Sequence, residues 1–101
     1  MYNELEHATR ESIITMEDRD IFDEMVAILS TYARDKESLG KATLETNIIS
    51  DLKVNSARIV DVIIRCEDKF GVRIEDEDTG RIGRIGDAVL LIKNLKAAAE
   101  Y

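Results

Sequence analysis

The chain has 101 residues and a mass of 11.4 kDa, a length that accommodates one small domain and leaves no room for a second. Acidic residues outnumber basic ones 21 to 14, for a formal net charge of −7. This balance argues against a general nucleic-acid binder and against adhesion to an anionic membrane surface, since both need basic residues. It is compatible with partner proteins that present basic surfaces.

One cysteine and one histidine leave little material for familiar catalytic or metal-binding devices. Cys66 has no second cysteine for an internal disulfide, and His7 lies in a polar stretch without apolar periodicity. These two residues cannot build a zinc site of the usual composition, and no glycine-rich phosphate loop occurs in the sequence. We therefore expect no catalytic residue, no metal site and a protein that is not an enzyme.

No segment has the features of a membrane span or a secretion signal. The longest uninterrupted apolar run, 88–92, is far shorter than the roughly 20 residues that a spanning helix needs. The first residues are acidic and lack an apolar signal-peptide core, so we expect a cytoplasmic protein. We expect residues 1–14 to form a flexible extension, residues 15–98 the domain, and residues 99–101 a short tail.

The first predicted helix covers about residues 16–34. Thr15 and Asp18 are suited to cap its start, and apolar residues then recur at spacings of one, three and four. The residues that form this apolar face are Ile21, Phe22, Met25, Ile28, Leu29 and Tyr32. Residues 35–54 lack such a period but contain scattered apolar residues, which predicts a long loop pinned to the core.

The second predicted helix begins at Asn55 and Ser56, either of which could cap it, and ends at Gly71 in a left-handed conformation. A short third helix is predicted at about residues 78–84. Asp87 is suited to cap a last helix. These elements predict an all-α fold, a four-helix bundle with a long loop between helices 1 and 2 and a short third helix.

Residues 51–57, which read DLKVNSA, resemble the D-L-G-x-D-S-L signature of acyl carrier proteins. Residues 67–74 resemble the family's E-x-x-F-G-[VI]-x-I motif, and residues 82–89 resemble its closing segment I-x-T-[VI]-x-D-A-[VI]. The order and spacing of these pieces carry the resemblance over about residues 17–98. It implies the family's fold, a four-helix bundle with a long loop between its first two helices.

This resemblance implies that Ser56 carries 4′-phosphopantetheine, transferred from coenzyme A by a phosphopantetheinyl transferase. The thiol of this arm would hold acyl groups as thioesters and present them to acyl-loading and acyl-using enzymes of lipid, fatty acid or polyketide synthesis. A helix start favours a phosphodiester anion, because free N–H groups and the positive end of the helix dipole lie there. We expect a monomer without nucleic-acid partners.

Four departures from the family pattern predict a specialised rather than a housekeeping carrier. Lys53 replaces the signature glycine, Asn55 replaces the aspartate before the serine, and Ala57 replaces the leucine after it. Arg58 stands where the family often has an acid. Residues 55–70 contain three bases and three acids, whereas the family's recognition helix is usually negative.

The resemblance also implies a partner-docking face on the second helix. The positions that match it are Arg58, Val60, Asp61, Ile64, Glu67 and Asp68. Ordinary helix surface is the alternative interpretation of each position. The inward side of this helix, with Ile59, Ile63, Cys66 and Phe70 opposite Phe22, Ile28 and Ala88, could shelter an acyl chain or be plain core. We expect Cys66 to be a core residue.

Two other functions remain open at this point, and a third fails a test of its loop. A peptidyl or aminoacyl carrier would more often have glycines before its serine, and Ser56 lacks them. A carrier-like interaction module with unmodified Ser56 is compatible with the altered flanking residues. A calcium sensor is disfavoured, because Arg81 stands where an EF-hand loop starting at Asp76 needs glycine.

Overall fold

The computed structural model describes residues 16–99, and all regular secondary structure in this part of the chain is helical. The five α-helices are α1 Met16–Leu29, α2 Lys36–Gly40, α3 Ile59–Phe70, α4 Asp76–Thr79 and α5 Ile85–Ala99. A 3₁₀ turn, Ser56–Arg58, leads directly into α3. This confirms the predicted all-α fold with a long connection before the helix that follows Ser56. The predicted extension, Thr15 and His7 lie outside the described residues.

The three long helices α1, α3 and α5 enclose one apolar core. The largest side chains that are fully buried are Met25, Leu29, Leu52, Val54, Ile85 and Ile92. Among the described residues, no polar or charged residue is buried. At the rim, Lys93 of α5 forms an ion pair of 3.1 Å with Asp18 of α1. Burial of each large aliphatic side chain contributes about 1.5–3 kcal/mol, so the core is the main source of stability.

The helix α1 ends at Leu29, five residues before the predicted end. The backbone N–H groups of Arg34 and Asp35 both donate to the carbonyl oxygen of Leu52, at 3.0 and 3.1 Å. This long-range pairing replaces the hydrogen bonds of a continuing helix. Asp35 then caps α2, which the sequence analysis missed, by accepting a hydrogen bond from the N–H of Ser38 at 3.0 Å. That hydrogen bond lowers the pKa of Asp35.

The short helix α4 spans Asp76–Thr79, so the predicted bounds of 78–84 were wrong. Its start is set by a reciprocal cap, in which Glu75 and Asp78 each bond the backbone N–H of the other. The acidic run 75–78 thus serves to start this helix.

The last helix, α5, begins at Ile85, two residues before the predicted cap Asp87. Asp87 nevertheless caps it from inside the first turn, because its carboxylate accepts hydrogen bonds from the N–H groups of Gly83 and Arg84, at 3.0 and 2.8 Å. These two hydrogen bonds lower the pKa of Asp87.

The long connection between α2 and α3 is attached to the start of α5 by backbone hydrogen bonds. They run from Ile48 N to Gly83 O, from Ile85 N to Thr46 O and from Gly86 N to Leu44 O, with lengths of 3.0, 3.0 and 2.8 Å. Asn47 and Arg84 form an isolated antiparallel bridge in the middle of this pairing. The predicted pinned loop is therefore confirmed, and backbone pairing pins it together with its apolar side chains.

Gly86 permits this close approach because it has no side chain. A Cβ atom at this position would lie 2.9 Å from the carbonyl oxygen of Leu44 and 3.2 Å from its Cβ. Real Cβ atoms do not approach backbone oxygens so closely, and the backbone cannot rotate away as a flexible side chain can.

We expect Gly86→Ala to lower the free energy of unfolding by about 1–3 kcal/mol, the usual cost of overpacking. Urea denaturation followed by circular dichroism measures this change. Gly40→Ala is the matched control, since nothing lies within 4 Å of the Cβ that it would add. Equal effects of the two substitutions would contradict the close approach at Gly86.

Candidate functional site

Ser56 is an exposed residue at the start of the 3₁₀ turn that leads into α3. The residue before it, Asn55, is extended, and its side-chain oxygen accepts a hydrogen bond from the N–H of Ala57 at 2.8 Å. Of the two capping candidates left open by the sequence, Asn55 therefore provides the cap. This leaves the hydroxyl of Ser56 exposed and without a capping role.

The segment that leads to Ser56 is held by alternating buried and exposed residues. Leu52 and Val54 are buried in the core, whereas Lys53 between them is exposed. Upstream, Asp51 accepts a hydrogen bond from the N–H of Asn47 at 2.8 Å. These contacts fix the backbone on both sides of Lys53 and so set the position from which Ser56 projects.

Lys53 has a left-handed backbone with φ of 58°, and it is the only non-glycine residue with positive φ among residues 16–99. A residue with a Cβ atom is strained there by roughly 1–2 kcal/mol, whereas glycine is not. This position matches the glycine of the family signature. The departure at Lys53 therefore has a physical cost that the sequence alone did not reveal.

The six predicted docking positions lie on or directly before α3, but their environments differ. Val60 and Ile64 are 62% and 55% exposed and lie one helical turn apart. Arg58 and Asp61 form an ion pair of 3.1 Å. The other two docking positions, Glu67 and Asp68, also differ from each other. Glu67 accepts a hydrogen bond from the N–H of Ile74 at 2.8 Å, and Asp68 is exposed to solvent.

A small apolar cavity of about 20 Å³ lies inside the bundle, behind α3. The residues that line it are Met25, Ile48, Ile59, Val62, Ile63, Cys66, Ile74, Ile82, Ala88, Leu91 and Ile92. Four of the predicted interior residues line it, whereas Phe22, Ile28 and Phe70 do not. The volume is close to that of one water probe, so an acyl chain would fit only if the surrounding helices moved apart.

The thiol of Cys66 faces this cavity and lies 3.4 Å from the sulfur of Met25. Burial, together with the neighbouring charge of Glu67, raises the pKa of the Cys66 thiol to about 12. The thiol is therefore protonated at neutral pH, and a thiol is a poor nucleophile. Cys66 is a core residue, as predicted.

Within residues 16–99, no group of three or more histidine, cysteine, aspartate or glutamate side chains is placed to hold a metal ion. In the same part of the chain, no helix is long and apolar enough to cross a membrane.

Known proteins similar to this chain are acyl carrier proteins, although no family model matches it. That of Lactobacillus acidophilus is 34% identical over 80 residues, which are 78% of this chain and 96% of that protein. The meromycolate extension acyl carrier protein of Mycolicibacterium aurum is 36% identical over 56 residues, 55% of this chain and 58% of that protein. A solved structure of the Enterococcus faecalis acyl carrier protein has a TM-score of 0.64 and 27% identity, covering 77% of this chain and 96% of that chain.

We expect Lys53→Gly to raise the free energy of unfolding by up to about 1 kcal/mol, because relief of left-handed strain exceeds the entropy that glycine adds to the unfolded chain. Thermal melts followed by circular dichroism measure the gain. Lys53→Ala is the control, since alanine removes the charge but keeps the Cβ atom. A gain of equal size in Lys53→Ala would show that φ is not the cause.

We expect the Cys66 thiol to react with iodoacetamide at pH 8 about a thousandfold more slowly in the folded protein than in the chain unfolded by urea. The reason is that its pKa of about 12 lowers the fraction of thiolate in the folded protein. For the same reason the protein loses stability as the pH rises from about 9 towards 12, where only the unfolded chain ionises this thiol. Mass spectrometry after timed quenching measures the labelling. Similar rates in the folded and unfolded states would contradict burial of the thiol.

Proposed function

The chain belongs to the acyl carrier protein family, and we propose that it holds acyl intermediates as thioesters on a 4′-phosphopantetheine arm attached to Ser56. The observation that supports this proposal best is that Asn55, and not Ser56, makes the capping hydrogen bond. Asn55 caps the 3₁₀ turn that leads into α3, so the exposed Ser56 hydroxyl is not needed as a cap and is accessible to a modifying enzyme. A serine that served only as a cap would have its oxygen bonded to the backbone.

The electrostatic surroundings of Ser56 suit a phosphodiester, although not in the way that a free helix start would. The N–H groups of Ala57 and Arg58 already donate to the side chain and the carbonyl oxygen of Asn55, both at 2.8 Å. The positive end of the α3 dipole remains available, and the exposed cation Lys53 precedes the serine by three residues in the sequence. This positive charge favours a phosphate group on Ser56, although the N–H groups of Ala57 and Arg58 already donate to Asn55.

Attachment of the arm requires no acid or base from this chain. The Ser56 oxygen would bond to the phosphorus that bears the pantetheine arm of coenzyme A, the phosphoanhydride bond would break, and the nucleotide part would leave with the negative charge. The serine proton would pass to a base of the transferase. We expect the transferase to supply this base.

The partners of this function are the phosphopantetheinyl transferase and the acyl-loading and acyl-using enzymes of a lipid or polyketide pathway. We place their docking site at Arg58, Val60, Asp61, Ile64, Glu67 and Asp68. The four departures around Ser56 support a dedicated enzyme set over a general one. We also propose that the protein acts in the cytoplasm as a monomer, with residues 15–98 as the carrier domain between a short extension and a tail.

Intact-mass spectrometry after incubation with a broad-range phosphopantetheinyl transferase and coenzyme A tests the proposal. We expect the mass of one phosphopantetheine group to be added, and Ser56→Ala to abolish the addition without changing the helical circular dichroism spectrum. Ser50→Ala is the control, because Ser50 is also an exposed serine in the same connection. Lack of modification, under conditions that modify a known carrier, would favour the interaction module.

Intact mass also identifies the class of group that the arm carries. Holo protein offered acyl and aminoacyl donors with their loading enzymes is expected to accept acyl groups. Loading by aminoacyl donors alone would identify a peptidyl carrier instead.

A further inference from the structure

Two exposed cations from distant parts of the sequence meet in the segment that leads to Ser56. They are Arg34 and Lys53, and neither side chain forms an ion pair or a hydrogen bond with any described residue. Arg58, which follows Ser56 by two residues, differs from them because it forms an ion pair of 3.1 Å with Asp61. In a chain with a net charge of −7, two unpaired cations at one place provide a local positive field that favours an anion.

The backbone brings Arg34 next to Lys53. The N–H groups of Arg34 and Asp35 both donate to the carbonyl oxygen of Leu52, the residue directly before Lys53, at 3.0 and 3.1 Å. The pKa of Asp35 reflects the same proximity, since the backbone hydrogen bond from Ser38 lowers it most and the charge of Lys53 lowers it further. The carboxylate of Asp35 is engaged with that N–H of Ser38, at 3.0 Å, and forms no ion pair with a described cation.

Ser56 lies within reach of both side chains. Lys53 and Ser56 are three residues apart, so their Cα atoms are separated by at most about 11 Å, and the left-handed turn at Lys53 shortens this distance. Leu52, whose carbonyl oxygen holds Arg34, is four residues from Ser56 and therefore at most about 14 Å away. Lysine and arginine have long side chains, and a phosphodiester on Ser56 adds its own length.

Lys53 is present at a cost to the stability of the unmodified protein. Its φ is 58°, and its backbone is held in place between Leu52 and Val54, which are both buried. Glycine would adopt this conformation without strain. Strained residues that the surrounding structure holds in place cluster at functional sites, so an observed outlier is a reason to look for a role of its side chain.

We propose that Arg34 and Lys53 bind the phosphodiester at the root of the arm and hold it on the side of Ser56 where the connection between α1 and α2 lies. This inference rests on the proposed carrier function, and the two cations are positioning residues. A guanidinium and an ammonium both form charge-assisted hydrogen bonds with phosphate oxygens. Because Arg34 and Ser56 meet only in the folded chain, this contact links the arm to the tertiary structure.

Urea denaturation of the unmodified protein and of the protein that carries phosphopantetheine tests this inference without any assay of activity. The measured quantity is the ratio of the two unfolding constants, unmodified over modified. At about 20 mM NaCl, we expect this ratio to be at least about threefold larger in the wild type than in Arg34→Gln/Lys53→Gln, the size that two exposed charge pairs give. Each ratio compares two forms of one variant, so a direct effect of the substitutions on folding cancels.

Glutamine at position 53 keeps the Cβ atom and hence the left-handed strain, so the substitution removes only the charge. Arg34→Gln alone is the sharper single variant, because local sequence does not bring residue 34 to Ser56. Arg19→Gln is the matched control, since Arg19 is exposed and has no ion pair among the described residues. It lies on α1 before Glu24, which pairs with Lys69 near the end of α3 that is opposite to Ser56. We expect Arg19→Gln to change the ratio less than about 1.5-fold.

Salt provides a second arm that needs only the wild type, so the test stands even for a variant that resists modification. At about 500 mM NaCl, we expect the wild-type ratio to fall towards that of the double variant, because salt screens exposed charges. A ratio that is independent of salt, or equal ratios in the wild type and the double variant, would overturn the inference. An unchanged ratio with weaker binding of the double variant to a partner enzyme would overturn it too, and would assign the cations to an acidic partner surface.

Intact mass, which scores the modification of Ser56 separately, distinguishes failure of this inference from failure of the proposed function. A modified protein with equal ratios contradicts this inference alone. A protein that is not modified, under conditions that modify a known carrier, contradicts both.

Discussion

The backbone pairing between the long connection and the start of α5 is the constraint on which the rest of the structure depends. The connection has little secondary structure of its own, so its N–H and carbonyl groups need partners elsewhere. The hydrogen bonds that join Leu44, Thr46 and Ile48 to residues 83–86 supply them, and Gly86 allows the required approach. With the connection fixed, Leu52 and Val54 enter the core, and Ser56 is presented at the start of α3.

Much of this fold could be predicted from the sequence, because its long helices have strong local signals. The apolar period placed α1 and α3, and Gly71 ends α3 in the predicted left-handed conformation. The errors come from hydrogen bonds that the apolar period does not report, one set long-range and the others local caps. The end of α1 depends on the carbonyl oxygen of Leu52, more than 15 residues away, and no local pattern reports such a partner. The short helix α2 depends on a cap that falls inside an aperiodic stretch.

The candidate site, too, could be predicted from the sequence only in part. The pattern around Ser56 located the serine, but two neighbouring side chains that could both cap the helix could not be told apart without coordinates. The cost of Lys53 depends on a backbone angle that only the folded connection imposes. The charges of residues 55–70 sum to zero in the sequence, yet the pairing of Lys69 with α1 and of Glu67 with the turn after α3 required the tertiary structure. The cavity depends on how the side chains fill the interior, which composition does not determine.

The structure presents the exposed hydroxyl of Ser56 at the start of the turn that leads into α3, and the exposed apolar residues Val60 and Ile64 follow on the helix. Folding needs neither Ser56 nor the exposed part of α3, since the cap, the core and the pinned connection form without them. Under the proposed carrier function, the reactive chemistry belongs to partner enzymes, while this chain provides position and accessibility. The protonated thiol of Cys66 is consistent with this division, because it offers no competing nucleophile near neutral pH.

The central claim, that Ser56 bears an arm loaded with acyl groups, is tested most directly on protein isolated from the cells that make it. Intact-mass spectrometry before and after hydroxylamine treatment separates the two bonds, since hydroxylamine cleaves thioesters and leaves the phosphodiester in place. The expected result is a set of masses that collapses to one, the chain plus phosphopantetheine, with the modification on the peptide that contains Ser56. A single mass equal to that of the unmodified chain, unchanged by hydroxylamine, would contradict the claim.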